Sequence, residues 1–175
     1  MTARFNTRWT HVRIFLAALS LLVIAACESP EQKAQSHYQR GLELLKKDKP
    51  VKAGLELKNA LQFKEDFVAA LYALATVEER KKNWRGVAGI LKKVVDLDPK
   101  HVEARIKLGK LLLLAGQSDQ ALKFANAAQA LMTDGGEAVD AKTKADVLAL
   151  KAASLYKLDD KEGAVRLAKQ ARLED

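Results

Sequence analysis

Apolar and small side chains recur along most of the chain at spacings of three and four residues, which is the pattern of one buried helix face. The pattern becomes regular at Ala34, is broken around Lys47, and resumes after Pro50. Proline is tolerated in the first turn of a helix, so Pro50 is predicted to open the second helix of a pair. The sequence therefore predicts an all-α fold built from antiparallel helix pairs.

The helix pairs repeat at a fixed interval. Small or short apolar residues recur 34 residues apart, as Gly41, Ala75 and Gly109, and again as Ala53, Val87 and Ala121. A period of this length is typical of solenoids, in which stacked units share one continuous core. The predicted units span residues 34–67, 68–101, 102–135 and 145–175.

The fourth unit is displaced along the sequence. Its alanines at 164, 168 and 171 follow those at 121, 125 and 128 by 43 residues, so nine extra residues fall around residues 136–144. We expect its first helix to begin near Glu137 and to run to Leu158, with Asp159 and Asp160 in the next turn.

No polar capping helix follows the fourth unit before Asp175. Solenoids usually shield their terminal apolar face with such a cap. We therefore expect that either the natural protein continues beyond Asp175 or the last helix self-associates.

These units resemble tetratricopeptide repeats, in which small residues at the eighth and twentieth positions let two helices approach closely. Those positions hold Gly41, Ala75, Gly109 and Ala152, then Ala53, Val87, Ala121 and Ala164. The chain departs from the family pattern at two positions. The aromatic residue of the second helix is replaced in the four units by Leu57, Leu91, Ala125 and Ala168, and the proline near the end of a unit is present only as Pro99. The resemblance implies a right-handed superhelical solenoid that binds a protein partner.

The first 26 residues differ from the rest of the chain. They carry Arg4, Arg8 and Arg13 but no acidic residue, and an apolar run follows over residues 14–26. This arrangement predicts an export signal. The run is shorter than the roughly 20 residues that a membrane-spanning helix requires, so a transmembrane anchor is the weaker interpretation.

The apolar run ends at Ile24-Ala25-Ala26-Cys27, and Cys27 is the only cysteine in the chain. This stretch resembles a bacterial lipoprotein signal, which implies removal of residues 1–26 and lipidation of Cys27. A buried structural thiol is the alternative. By the sorting pattern of such proteins, Glu28 favours the outer membrane and its periplasmic face over the inner membrane. Residues 27–33 are predicted to form a polar tether.

The face of the first helices that would line the inner groove of the solenoid is a candidate partner-binding site. Its mixture of aromatic, aliphatic and charged side chains suits a bound peptide or helix, although the two tyrosines at 38 and 72 could instead pack between helices. The predicted groove residues are Tyr38, Leu42, Leu45, Tyr72, Thr76, Glu79, Ile106, Lys110, Leu113, Tyr156 and Lys157. Tyr38 and Leu42 replace the Lys and Asn with which some relatives bind a C-terminal carboxylate, which disfavours that type of ligand.

Lys and Arg outnumber Asp and Glu by 30 to 22, and the turns inside the first two units are basic. Stacking would place these turns on one edge, the basic edge, which could contact anionic lipid headgroups; a solvated turn is the alternative. The basic edge comprises Lys46, Lys47, Lys49, Arg80, Lys81, Lys82 and Arg85. Nucleic acid is a disfavoured partner because the turns lack interleaved aromatic residues.

No combination of residues predicts catalysis, a metal site or a cofactor. His37 and His101 are isolated, and the common hydrolase and phosphate-binding motifs are absent. The loop at residues 134–137 lacks the alternating oxygen ligands of a calcium site. Trp84 is expected to be a packing residue at the start of a helix.

The sequence therefore predicts a non-catalytic, membrane-anchored scaffold that mediates protein–protein interactions in secretion, polysaccharide export or outer-membrane assembly. Residues 55–62 resemble the opening of tetratricopeptide lipoproteins associated with exopolysaccharide and PEP-CTERM systems. The alternative is a structural adaptor that binds anionic lipid or polysaccharide through the basic edge.

Overall fold

The computed structural model describes residues 28–133 and 140–174, and these residues form eight α-helices and no strand. The helices are α1 (Pro30–Lys46), α2 (Pro50–Phe63), α3 (Val68–Arg80), α4 (Trp84–Leu97), α5 (Val102–Leu114), α6 (Ser118–Thr133), α7 (Ala141–Lys157) and α8 (Lys161–Glu174). The predicted all-α class is confirmed.

The predicted signal, Cys27 and the 134–137 loop lie outside the described residues. No described helix is both long and apolar enough to cross a bilayer.

Helix α1 begins four residues earlier than the sequence pattern predicted. The Ser29 hydroxyl accepts a hydrogen bond from the Gln32 backbone N–H at 3.2 Å, while the Ser29 N–H donates to the Gln32 side chain at 2.8 Å. This reciprocal capping box stabilises a helix start, and Pro30 suits the first helical position. Residues 30–33, predicted as part of the 27–33 tether, are therefore helical.

Each of the four turns inside a helix pair contains one residue in the left-handed backbone region. These residues are Asp48, Lys82, Gly116 and Asp159, with φ of 52°, 58°, 77° and 69°. The first three lie 34 residues apart and the last follows by 43, the displacement already seen in the alanine pattern. The same turn geometry thus follows the first helix of every unit, although only glycine adopts a left-handed backbone conformation without a steric cost.

Glycine permits close contact between the stacked helices. A β-carbon at Gly41 would lie 2.8 Å from Cδ2 of Leu57, on the second helix of the same pair. A β-carbon at Gly109 would lie 2.6 Å from Cδ2 of Leu150, on the first helix of the next pair. Helices pack on their pair partner and on the following helix throughout the series, which gives a stack of four pairs.

Both helices of each pair contribute to the core, and three repeat positions on the second helices are fully buried in unit after unit. In the first three units these nine residues have no exposed surface: Ala53, Leu57, Ala60, Val87, Leu91, Val94, Ala121, Ala125 and Ala128. On α8 the equivalent Ala164 and Ala171 are nearly buried, but Ala168 is exposed. Helix α8 is the last described helix, and no described helix covers its outer face.

The first helix of the fourth unit begins at Ala141, later than the predicted Glu137, which lies outside the described residues. Asp140 sets this start, because its carboxylate accepts hydrogen bonds from the Thr143 N–H at 2.8 Å and the Thr143 hydroxyl at 3.2 Å. These bonds lower the pKa of Asp140, the backbone N–H contributing most. The helix ends at Lys157, one residue before the predicted Leu158.

We expect Gly41→Val to lower the free energy of unfolding by about 1–3 kcal/mol, because the added atoms overlap the Leu57 side chain. Gly89→Ala is the matched control. Gly89 is exposed on α4 with no neighbouring atom near its would-be β-carbon, so the change should stabilise the helix by about 0.5–1 kcal/mol. Urea unfolding followed by circular dichroism measures both, and equal effects of the two variants would contradict the packing role of Gly41.

Candidate functional site

The candidate site is the layer formed by the first helices of the four pairs, α1, α3, α5 and α7. Helix α1 contacts α3, and α5 contacts α7, so these helices lie side by side although they belong to different units. Most predicted groove residues lie on them, half-buried or exposed. We call this layer the first-helix surface.

The two tyrosines predicted in the groove occupy equivalent environments. The Tyr38 ring lies 4.9 Å from the Phe67 ring, and the Tyr72 ring lies 4.6 Å from the His101 ring, measured between centroids. Phe67 and His101 each immediately precede the first helix of the next unit. Both tyrosines are half-buried against core clusters, so their rings stabilise the stacking of units while part of each ring stays exposed.

Ile106 was predicted to face the groove, and this prediction is wrong. Its side chain is only 4% exposed and packs with Ala128 of α6 and Val147 of α7. A helix packed between two neighbours buries a wider stripe than the repeat pattern alone suggests, and Ile106 falls inside that stripe. Leu42 and Leu45 are half-buried against the core of the first two units.

An ion pair and an aromatic ring form a polar cluster between the second and third units. Lys107 Nζ lies 2.6 Å from Glu79 Oε2 and 5.4 Å from the centre of the Tyr72 ring. Burial raises the pKa of Tyr72 to about 12, and the negative charges of Glu103 and Glu79 add to the effect. Sequence reasoning identified Glu79 and Tyr72 but missed Lys107, which faces them only because the units stack.

A second ion pair joins the third and fourth units. Lys110 Nζ lies 2.7 Å from Asp146 Oδ1, and Lys142 Nζ lies 3.5 Å from the other carboxylate oxygen. Burial opposes ionisation of Asp146, but the hydrogen bonds and charges of the two lysines outweigh it and lower its pKa. Lys110 is therefore held in place on the first-helix surface, where one carboxylate faces the charges of two lysines.

An open cleft of about 800 Å³ lies at the C-terminal end of the first-helix surface, between α7 and α8. Its floor consists largely of alanines of these two helices, and Leu113, Tyr156 and Lys157 from the predicted groove also line it. Lys157 stands near the α7–α8 turn, whereas Lys142 and Arg172 stand at the opposite end of the antiparallel pair. Tyr156 is 60% exposed and so can contact a ligand without unfolding its surroundings. An apolar floor with charged ends suits a short helical or extended peptide.

The basic edge is less uniformly charged than its sequence suggested. Arg80 Nη1 lies 2.8 Å from Asp48 Oδ1, and Lys81 Nζ lies 3.0 Å from Glu78 Oε1. Glu78 also accepts a hydrogen bond from the Asn83 side chain, and the Asn83 and Lys81 hydrogen bonds lower its pKa. Lys47 makes only a long 3.9 Å contact with Glu43. Among the described residues no ion pair involves the four remaining cations of the edge, which are Lys46, Lys49, Lys82 and Arg85.

Trp84 was expected to be a packing residue, but its side chain is 53% exposed. It is the first residue of α4, directly after the basic turn of the second unit. Packing therefore accounts for only part of the Trp84 side chain.

Among residues 28–133 and 140–174, no group of three or more His, Cys, Asp or Glu side chains is arranged to hold a metal ion.

Comparison with known proteins agrees with this architecture. Residues 80–145 match the tetratricopeptide repeat family. Residues 41 to the end of MamA from Desulfovibrio magneticus RS-1 superpose with a TM-score of 0.69 at 20% identity, covering 82% of this chain and 76% of that one. A crystal structure of MamA gives a TM-score of 0.67 at 15% identity, covering 99% and 96%.

A third similar structure is YrrB, described as a TPR protein with an unusual peptide-binding site. It gives a TM-score of 0.64 at 22% identity and covers 81% of this chain and 69% of that one. No curated protein matches the sequence. At these identities the likenesses establish the fold, which is the tetratricopeptide-repeat solenoid.

Tyr72 should ionise well above the usual pH of a phenol when the protein is titrated with base. Its phenol is neutral in the folded state up to about pH 12, whereas an unfolded chain releases the proton near pH 10. The folded state therefore loses stability as pH rises through this interval. Ultraviolet absorbance of phenolate, with circular dichroism to monitor folding, measures both effects.

Tyr72→Phe should remove the phenolate step near pH 12, whereas Tyr156→Phe, which changes an exposed tyrosine, should leave that step in place. Retention of that step in Tyr72→Phe would show that the assignment is wrong.

Proposed function

We propose that the protein is a non-catalytic scaffold that binds a protein partner on the first-helix surface. The observation that carries the proposal is the cleft between α7 and α8, an apolar floor bounded by Lys142, Lys157 and Arg172. A peptide-like ligand gains apolar contact on the alanine floor and charged contacts at both ends. The peptide-binding site described for YrrB, which has a similar fold, supports this type of ligand.

The polar pairs of the first-helix surface support a role in recognition. Lys107–Glu79 and Lys110–Asp146 hold four charged side chains on the first-helix surface at distances of 2.6 and 2.7 Å. Side chains ordered in the free protein lose little conformational entropy when a partner binds. The first-helix surface thus offers fixed charges next to an apolar cleft.

We further propose that the protein acts in the cell envelope as a lipoprotein anchored through Cys27, in secretion, polysaccharide export or outer-membrane assembly. The sequence Ile24-Ala25-Ala26-Cys27 supports this proposal. Because α1 begins at Pro30, at most about 10 Å of extended chain separates Cys27 from the first helix. The first unit would then lie next to the membrane surface.

The second candidate function is that of an adaptor that binds an anionic lipid or polymer through the basic edge. The four cations of this edge that lack an ion pair among the described residues favour it. This function and the scaffold function use different surfaces of the same solenoid. Substitutions can therefore separate them.

Ala149→Glu should abolish capture of a protein partner from solubilised envelope, because Ala149 is exposed on the cleft floor and a charged side chain there blocks the apolar contact. Ala130→Glu is the matched control, since Ala130 is an exposed helical alanine of α6 outside the cleft. Tyr38 and Tyr72 are left unchanged because their rings pack between units. Equal capture by the Ala149→Glu and Ala130→Glu proteins would exclude the cleft as the binding site.

Cys27→Ser should prevent lipidation, since the thiol is the only group at this site that can form the thioether. The expected result is loss of radiolabelled fatty acid from the protein and loss of the processed form on gels. Incorporation of label into the Cys27→Ser protein would rule out the anchor, independently of the cleft.

A further inference from the structure

The basic edge carries exposed apolar side chains among its cations. Val51 is 74% exposed, Leu55 is 61% exposed and Trp84 is 53% exposed. Val51 and Leu55 lie one turn apart on α2, and Trp84 is the first residue of α4. A single large apolar side chain is common on a solvated protein surface. Here three of them occur on an edge that also carries several positive charges.

The turns of the first and second units are adjacent in space. The Arg80 guanidinium, at the end of α3, donates a 2.8 Å hydrogen bond to Asp48 and a 3.4 Å hydrogen bond to the Leu45 carbonyl oxygen, both in the first unit. The residues that follow these two turns, including Val51 and Trp84, therefore lie at the same edge of the solenoid. We call this the amphipathic edge, comprising Lys46, Lys49, Val51, Leu55, Lys82, Trp84 and Arg85.

Internal ion pairs do not neutralise the amphipathic edge. Arg80 and Lys81 are paired with Asp48 and Glu78, but the four cations named for the edge make no ion pair among the described residues. All four are exposed. The corresponding turn of the third unit, Ala115-Gly116-Gln117, carries no charge, and that of the fourth unit, Leu158-Asp159-Asp160, is acidic, so the basic turns are those of the first two units.

We propose that the amphipathic edge binds the surface of an anionic membrane, with Trp84, Val51 and Leu55 in the headgroup region and the four cations beside lipid phosphates. Cations near an anionic bilayer bind it electrostatically, and tryptophan is favoured at the interface because its ring is apolar and its N–H is polar. A soluble polyanion would engage the cations but would leave the apolar side chains in water. A bilayer engages both, which is why the structure favours lipid.

This inference deepens the second candidate function and does not depend on Cys27. Cys27 precedes α1 and the amphipathic edge follows it, so where Cys27 is lipidated the two would act on the same membrane when this helix, about 25 Å long, lies along the membrane surface. A single weak contact gives only reversible binding, and two give a durable one. The edge would then fix the orientation of the solenoid and leave the cleft at the far end of the stack available to a partner.

The experiment uses the chain from Glu28 to Asp175, which contains the buried clusters and has Trp84 as its only tryptophan. A cooperative thermal transition establishes that it folds before use. The probe is a suspension of vesicles made from equal parts phosphatidylglycerol and phosphatidylcholine, with pure phosphatidylcholine vesicles in a parallel arm. Binding should shift Trp84 emission to the blue and make it accessible to quenching by brominated lipid, in the anionic vesicles only.

A variant without the four cations of the edge should partition into anionic vesicles roughly tenfold or more weakly than the unchanged protein. It carries Lys46→Gln, Lys49→Gln, Lys82→Gln and Arg85→Gln. The matched control neutralises four exposed cations of the third and fourth units, Lys123→Gln, Lys144→Gln, Arg166→Gln and Lys169→Gln, and should retain most of the binding at the same net charge. Val51→Ser should weaken binding and leave the thermal transition unchanged, because Val51 is largely exposed.

Four results would overturn the proposal: no binding to anionic vesicles, equal binding to both vesicle types, an equal loss in the control variant, or binding to soluble polyphosphate without binding to vesicles. The last result would assign the edge to a polymer. None of them bears on partner capture by the cleft, which the Ala149→Glu comparison tests separately.

Discussion

The close approach of neighbouring helices is the constraint on which the rest of this structure depends. At Gly41 and Gly109 the space that a β-carbon would need is already occupied by leucine methyl groups of the facing helix. Nine residues at three repeat positions are then excluded from solvent, and most of them are alanine or valine. Because these side chains are small, little apolar area is available per residue, and stability requires that the helices stack closely over the whole series.

Stacking also determines which charges are available to a ligand. Lys107, Lys110 and Arg80 meet acidic side chains of an adjacent unit, while Lys81 meets Glu78 one turn earlier on its own helix. These pairs remove cations from the free surface and order them. The cations beside Trp84 and Val51 at one end of the solenoid make no ion pair among the described residues, and Lys157 and Arg172 stand at the two ends of the cleft at the other. The two candidate surfaces are thus well separated along the stack.

The cleft arises from the same repeat position that closes the core elsewhere. Leu57, Leu91 and Ala125 are fully buried, whereas Ala168 at the equivalent place on α8 is exposed. In the earlier units the helix that follows covers this position. On α8 no helix among the described residues does so, and Ala168 lines the cleft.

The sequence by itself determined the all-α class, the 34-residue register and the nine-residue displacement of the fourth unit, because backbone periodicity and turn chemistry are local properties of the chain. It also identified residues such as Tyr156 and Leu113, which the structure places at the cleft. Only the tertiary structure decided that Ile106 is buried, that Trp84 is exposed, and that Arg80 and Lys81 are paired while Arg85 makes no ion pair among residues 28–133 and 140–174. Burial and ion pairing depend on which surfaces of different units meet, and repeat spacing alone does not specify those contacts.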